Sequence, residues 1–161
     1  MNAGRFLFAV YCDDVRQEVG NKLSLIGCYM DDLIVDALPA ALPKLCVQAR
    51  ALTPNAKPFE RLVFRAYMNK TLLGELEVAR EALERTAAAA QGRAISERHG
   101  ALAVMTFSPF LIDGPGQLKV EAETEEGLLK GSVLQISVRQ DAPSKPGGTQ
   151  PPAKRARRRA K

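Results

Sequence analysis

An antiparallel β-sandwich is the fold class this sequence predicts, and three observations carry that expectation. Apolar residues recur with a period of two through most of the chain. Clusters of Gly, Pro, Asn and Asp punctuate it at short intervals. Only one stretch has helical spacing, and the strand–helix–strand rhythm of a parallel sheet is missing. About eight strands are expected in one body, residues 1–140, followed by a tail, residues 141–161.

The first pair of strands organises the rest. Phe6 to Tyr11 is apolar on both faces, the pattern of a central strand covered on each side. Leu23 to Cys28 is nearly as apolar, and Gly27 marks a bulge or a close approach. Between them Cys12 to Lys22 reads as a charged connection holding Asp13, Asp14, Arg16, Glu18 and Lys22. Gly20-Asn21 supplies the positive φ angles where the chain turns back. Leu33-Ile34-Val35 is a short run, and Pro39 to Pro43 is an extended crossing, since prolines give no ladder donors.

From Lys44 to Ala51 the alternation is clean: Leu45, Val47, Ala49 and Ala51 oppose Lys44, Gln48 and Arg50. Residues 53–58 form a turn. Leu62, Phe64, Ala66 and Met68 then oppose Arg61, Arg65 and Tyr67, and Asn69-Lys70 links to a strand where Leu72, Gly74, Leu76 and Val78 oppose Glu75 and Glu77. Arginines facing glutamates predict cross-strand ion pairs in water. Ala79 to Ala94 is the helical stretch, with alanine runs and Arg80/Glu84 and Glu81/Arg85 spacing. Its apolar face is thin, so it either lies over the sandwich or is a loop. Ala101 to Ile112 resumes strand character, interrupted at Ser108-Pro109. Asp113 to Gly116 turns, Leu118, Val120 and Ala122 alternate, Glu125-Glu126-Gly127 turns again, and Leu134, Ile136 and Val138 close the pattern.

The net charge of +5 divides unevenly along the 161 residues. Residues 1–140 carry 16 Lys and Arg against 17 Asp and Glu, net −1; residues 141–161 carry 7 against 1, net +6. The basic character therefore belongs to the tail and does not describe a nucleic-acid-binding body. Residues 1–20 lack the pattern of a secretory signal, and Phe6 to Tyr11 is too short to span a bilayer, which predicts a cytoplasmic protein without a membrane partner. Cys12, Cys28 and Cys46 are odd in number, and a hairpin joined at Cys12 to Lys22 would place Cys12 and Cys28 at opposite ends, beyond disulfide reach.

The motif Cys12-Asp13-Asp14-Val15-Arg16, Glu18-Val19-Gly20, Lys22-Leu23-Ser24-Leu25-Ile26-Gly27 and Leu42-Pro43-Lys44-Leu45, with Phe107-Ser108-Pro109-Phe110 further on, resembles a family of small bacterial and phage-borne proteins defined only as a domain of unknown function. The resemblance covers about residues 6–139 and leaves the tail outside. It implies a compact cytoplasmic β-rich domain and brings no activity, cofactor or catalytic residue with it.

Candidate chemistry is sparse. Asp13, Asp14 and Glu18 form an acidic group of the kind that binds a hard cation such as calcium, or that serves a metal-dependent or hydrolytic enzyme. The alternative is that Asp13 or Asp14 caps a tight connection while Arg16 and Glu18 pair or face water. His99 is the one histidine, in a polar stretch, Glu97 to Gly100. No nucleophile elbow, phosphate loop or cofactor motif occurs, so the expected catalytic, cofactor and metal assignments are all empty.

The tail carries the strongest physical signal. Lys154, Arg155, Arg157, Arg158, Arg159 and Lys161 place six cations in eight residues, in a Pro- and Gly-rich setting without large apolar groups that predicts disorder. Such an end neutralises phosphates nonspecifically, or else is merely solvated. Aromatic residues to stack on bases are missing from it. The sequence thus predicts a non-enzymatic binding or scaffolding module for an unidentified protein partner, working through a loop end or sheet face, with accessory nucleic-acid contact by the tail.

Overall fold

The computed structural model describes residues 4–91 and 97–140. Among them are eleven strands and one helix, a sandwich-like all-β fold. Strands β1 (Phe6–Glu18), β2 (Lys22–Tyr29), β5 (Leu45–Pro54) and β8 (Arg98–Phe107) form one sheet in the order β2-β1-β5-β8. Strands β3 (Asp32–Val35), β6 (Leu62–Met68), β7 (Thr71–Glu77), β10 (Gly116–Thr124) and β11 (Gly127–Val138) form the other, in the order β3-β11-β10-β6-β7. β4 (Ala40–Leu42) and β9 (Phe110–Ile112) make a small ladder of their own, so the proline-bounded crossing contains a strand. Helix α1 (Arg80–Gln91) leads from the second sheet to the first.

Alternation decides what is buried. Leu7, Tyr11, Val47, Ala49, Ala51, Ala103 and Met105 of the first sheet meet Leu62, Phe64, Ala66, Leu118, Val120, Leu134 and Ile136 of the second in one core. The sheets also join at a corner. There the Tyr11 hydroxyl donates to the Ser132 carbonyl at 2.6 Å, and the Ser132 hydroxyl donates to the Ala9 carbonyl at 2.5 Å. Arg5 ties the chain start to the β10–β11 turn. Its side chain is fully buried, donates to Glu125 at 2.5 Å and to Thr53 Oγ1 at 3.2 Å, and lies 4.8 Å from the centre of the Phe59 ring.

Several expectations need correction. The connection between the first two strands is only residues 19–21, with Gly20 and Asn21 at φ +83° and +57°, and the acidic residues belong to β1 itself. Residues 6–12 of β1 pair with β5, while residues 11–18 pair with β2. The hairpin thus runs on beyond β5 as a two-stranded ribbon, where an alternating apolar signal is not needed. The longer ladder makes Cys12 a direct register partner of Cys28, and of Cys46 on the other side, instead of separating them. β3 pairs in parallel with β11, so the second sheet is mixed. A bulge between Ala66 and Tyr67 shifts the phase of β7: Leu72 turns out, 49 % exposed, while Leu73 packs on the core.

The helix bears out its spacing over Arg80–Gln91, with the Arg80–Glu84 pair at 3.0 Å. It buries Leu83 and Ala90. Residues 92–94 of the expected helix lie outside the described residues, as do residues 141–161 with all six tail cations. No helix among the described residues is long and apolar enough to cross a membrane.

Candidate binding surfaces

The acidic group does not converge. Register places Asp14 and Glu18 on the outward face of β1 and Asp13 on the opposite one. Asp13 sits against Gly27, where a β-carbon would lie 2.1 Å from its Oδ2, and accepts the Tyr29 hydroxyl at 2.6 Å. The close approach expected at Gly27 is therefore made by a carboxylate. Asp14 accepts Lys44 Nζ at 2.5 Å and Arg16 Nε at 3.2 Å, bonds that hold its carboxyl below the usual range. Glu18 accepts the Ser24 hydroxyl at 2.9 Å. These carboxylates pair with neighbours on two faces of a ribbon, and neither Asp13 nor Asp14 caps a turn. Among the described residues no group of three His, Cys, Asp or Glu side chains could hold a metal ion.

His99 lies in β8 and not in a loop, with Nδ1 3.0 Å from Asn55 Oδ1. Burial lowers its pKa, which leaves the ring neutral at pH 7. Cys28 is exposed, Cys12 and Cys46 are buried, and all three are free thiols although they form one row across three strands.

The two outward sheet faces differ in kind. That of the second sheet is a lattice of ion pairs: Arg65 bonds Glu75 at 2.5 Å and also Glu123, while Arg61 bonds Glu123 and lies 3.8 Å from Glu77. This is the predicted arginine–glutamate pairing, with Glu123 of β10 added on the far side of β6, so that the arginines lie between two rows of glutamates. Lys119 bonds Glu121 at 2.9 Å and lies 5.1 Å from the centre of the Tyr67 ring.

The outward face of the first sheet is apolar. Phe6, Phe8 and Val10 of β1 stand beside Leu52, Arg50 and Gln48 of β5, whose partners on the far side are Gly100, Leu102 and Val104 of β8. Phe6, Phe8 and Leu102 are 46 %, 56 % and 46 % exposed. This corrects the expectation that the first strand is covered on both sides: Leu7 and Tyr11 face the core, whereas Phe6 and Phe8 face out.

Two recesses flank those rings. One, of about 440 Å³, runs between the sheet and α1 and is lined by Arg50, Arg98 and Gly100 from strands and by Arg85, Thr86 and Ala89 from the helix. The Arg98 guanidinium lies 4.8 Å from the centre of the Phe6 ring, which joins recess to platform. The other, of about 410 Å³, lies along Phe6 and Phe8 toward Leu128 and Lys130 of β11. No carboxylate lines either recess. Sequence reasoning missed this surface, although Arg50 on the polar face of β5 and Phe6-x-Phe8 on one face of β1 were its visible traces.

No protein-family model and no curated protein matches the chain.

Proposed function

We propose that this chain is a non-enzymatic binding module of the bacterial cytoplasm that contacts nucleic acid through its basic tail. The observation that carries the reading is the charge division: a body of net −1 attached to 21 residues of net +6, with six cations in the last eight. A polybasic end of that density exchanges condensed counterions for its own charges along a phosphate backbone, giving sequence-independent affinity that falls steeply with salt. The carboxylates at Asp13, Asp14 and Glu18, spent on Tyr29, Lys44, Arg16 and Ser24, support a binding role over a hydrolytic one. Cys12 and Cys28, register partners that stay free thiols, fit a reducing compartment.

The test compares the full chain with one ending at Gln140, which keeps every residue of the core from Leu7 to Ile136. In a gel-shift assay on duplex DNA at 50 and 200 mM salt, the full chain should bind with marked salt dependence and the shortened chain should lose duplex binding. Equal binding by the two would refute the assignment to the tail.

A further inference from the structure

We infer that the outward face of the first sheet is a binding platform for single-stranded nucleic acid, with Phe8 as the stacking ring and Arg50 and Arg85 as phosphate contacts. The inference rests on the reading of the chain as a nucleic-acid-binding module and adds a second site, on the body, that discriminates strandedness.

Geometry supplies both chemistries that a single strand needs. Bases require a flat π surface that is open to solvent, and the Phe6 and Phe8 rings stand 6.5 Å apart on one face of β1 with more than half of Phe8 exposed. The backbone requires cations beside those rings. Arg50 is the register partner of Phe8 and is exposed, Arg98 lies over Phe6, and Arg85 reaches the same recess from α1. Among the described residues neither Arg50 nor Arg85 is paired with a carboxylate, whereas Arg98 is held by the Gly4 carbonyl and frames the recess. Lys130 closes the far side of the rings with the same sign of charge.

The contrast with the second sheet is decisive for the class of ligand. There every arginine on the outward face is locked to glutamate. Here the charged side chains lining the two recesses beside the rings are cationic, and the Asp14 and Glu18 carboxylates further along the same face of β1 are bonded to Lys44, Arg16 and Ser24. Cations beside exposed aromatic surface complement a polyanion carrying planar groups. A duplex keeps its bases stacked internally and offers phosphates only. A single strand can lay a base on Phe8 while its phosphates reach the arginines, so strandedness is read by stacking and not by charge.

The experiment uses the full chain and a fluorescein-labelled dT12 oligonucleotide, with a 12-base-pair duplex as comparison, followed by fluorescence anisotropy at 50 and 200 mM NaCl. Phe8→Ala should weaken dT12 binding about tenfold and leave duplex binding unchanged, since one base-stacking contact is removed. Arg50→Gln should weaken dT12 binding and reduce its salt dependence. Both positions are exposed, and unchanged thermal melts establish that each variant is folded. A third variant, with all six tail cations replaced by glutamine, should lose duplex binding while keeping a dT12 affinity that Phe8→Ala weakens by the same factor.

Wild-type dT12 affinity in both Phe8→Ala and Arg50→Gln would overturn the platform; if the tail variant then loses all binding, the tail reading survives alone. Conversely, a tail variant that binds duplex normally while Phe8→Ala loses dT12 refutes the tail and upholds the platform. Sedimentation equilibrium covers the competing occupant, a second copy of the chain. A dimer that Phe8→Ala dissociates, with dT12 affinity unchanged, would assign this face to self-association and overturn the inference.

Discussion

Replacing Arg5 by alanine should destabilise the fold by about 3 kcal/mol. The guanidinium is fully buried and donates to Glu125 at 2.5 Å, to Thr53 Oγ1 at 3.2 Å and to the carbonyls of Lys57 and Pro58 at 3.4 and 3.3 Å. Removing one partner of a buried ion pair costs about 3–5 kcal/mol, because the other charge is left without compensation. The cation–π contact with Phe59 contributes a further fraction of that order, about 0.5–2 kcal/mol. Glu125 and Glu126 keep 23 % and 20 % exposure, so water relieves part of the loss and the lower end of the range applies.

Against a total stability of about 5–15 kcal/mol this is a large fraction. Urea unfolding should show a lower midpoint at an unchanged slope. Arg5→Ala combined with Glu125→Gln should cost less than the sum of the two, since the second change removes the stranded charge.

The pH dependence follows from the same pair. Burial alone would raise the Glu125 carboxyl, but the bond from Arg5 prevails, helped by the backbone donors, and holds it below its ordinary value. A group depressed on folding contributes stability above its unfolded pKa and loses that contribution as pH falls through the folded one. The wild-type chain should therefore weaken only below the usual carboxylate range. In Arg5→Ala, where burial is left and the strongest opposing bond is gone, acid unfolding should begin at higher pH. A loss under about 1 kcal/mol together with an unmoved acid limb would refute the reasoning.

Gly27→Ala should destabilise by about 1–3 kcal/mol in thermal unfolding, since its φ of +66° strains any β-carbon and that carbon would collide with the Asp13 carboxylate. Maleimide labelling of the native chain should modify Cys28 alone. Cys12, whose thiol is pushed up to about 11 by burial and then by the neighbouring thiols and Asp13, and buried Cys46 should react only in denaturant. Phe64→Ala should cost about 3–5 kcal/mol by urea titration, because the ring is fully buried between the sheets.

How much of the molecule was legible in the sequence differs by region for physical reasons. Leu45, Val47, Ala49 and Ala51 alternate with polar residues because one face of β5 is buried, and the pattern names the core directly. The Gly20-Asn21 turn and the arginine–glutamate ladder of β6 and β7 are equally local. The β1–β2 ribbon reads in the sequence as a long connection. Wet on both sides, it holds Asp14, Arg16 and Glu18 without an apolar period to betray it, and its stability comes from cross-strand pairing invisible to a linear pattern. The bulge at Leu73 of β7, opposite the Ala66–Tyr67 step, likewise exchanges Leu72 for Leu73, two adjacent leucines that give the linear pattern no preference.

The candidate platform was hidden for a related reason. Phe6-Leu7-Phe8-Ala9-Val10 is apolar at every position, and such a run does not say whether its second face is covered by protein or left open for a ligand. Nor does Arg50, read alone as an outward residue of β5, show that Arg85 and Arg98 share its recess.

The linear pattern is enough to establish a β-rich chain with one helix, the inward residues of most strands, and an excess of positive charge in residues 141–161. These follow from alternation, turn chemistry and composition, which act over a few residues. Long-range packing alone sets Cys12 between Cys28 and Cys46, buries Arg5 against the β10–β11 turn, and leaves Phe6 and Phe8 in solvent beside arginines. Register and layer packing bring together residues tens of positions apart, and no local period records which of two apolar faces another sheet will cover.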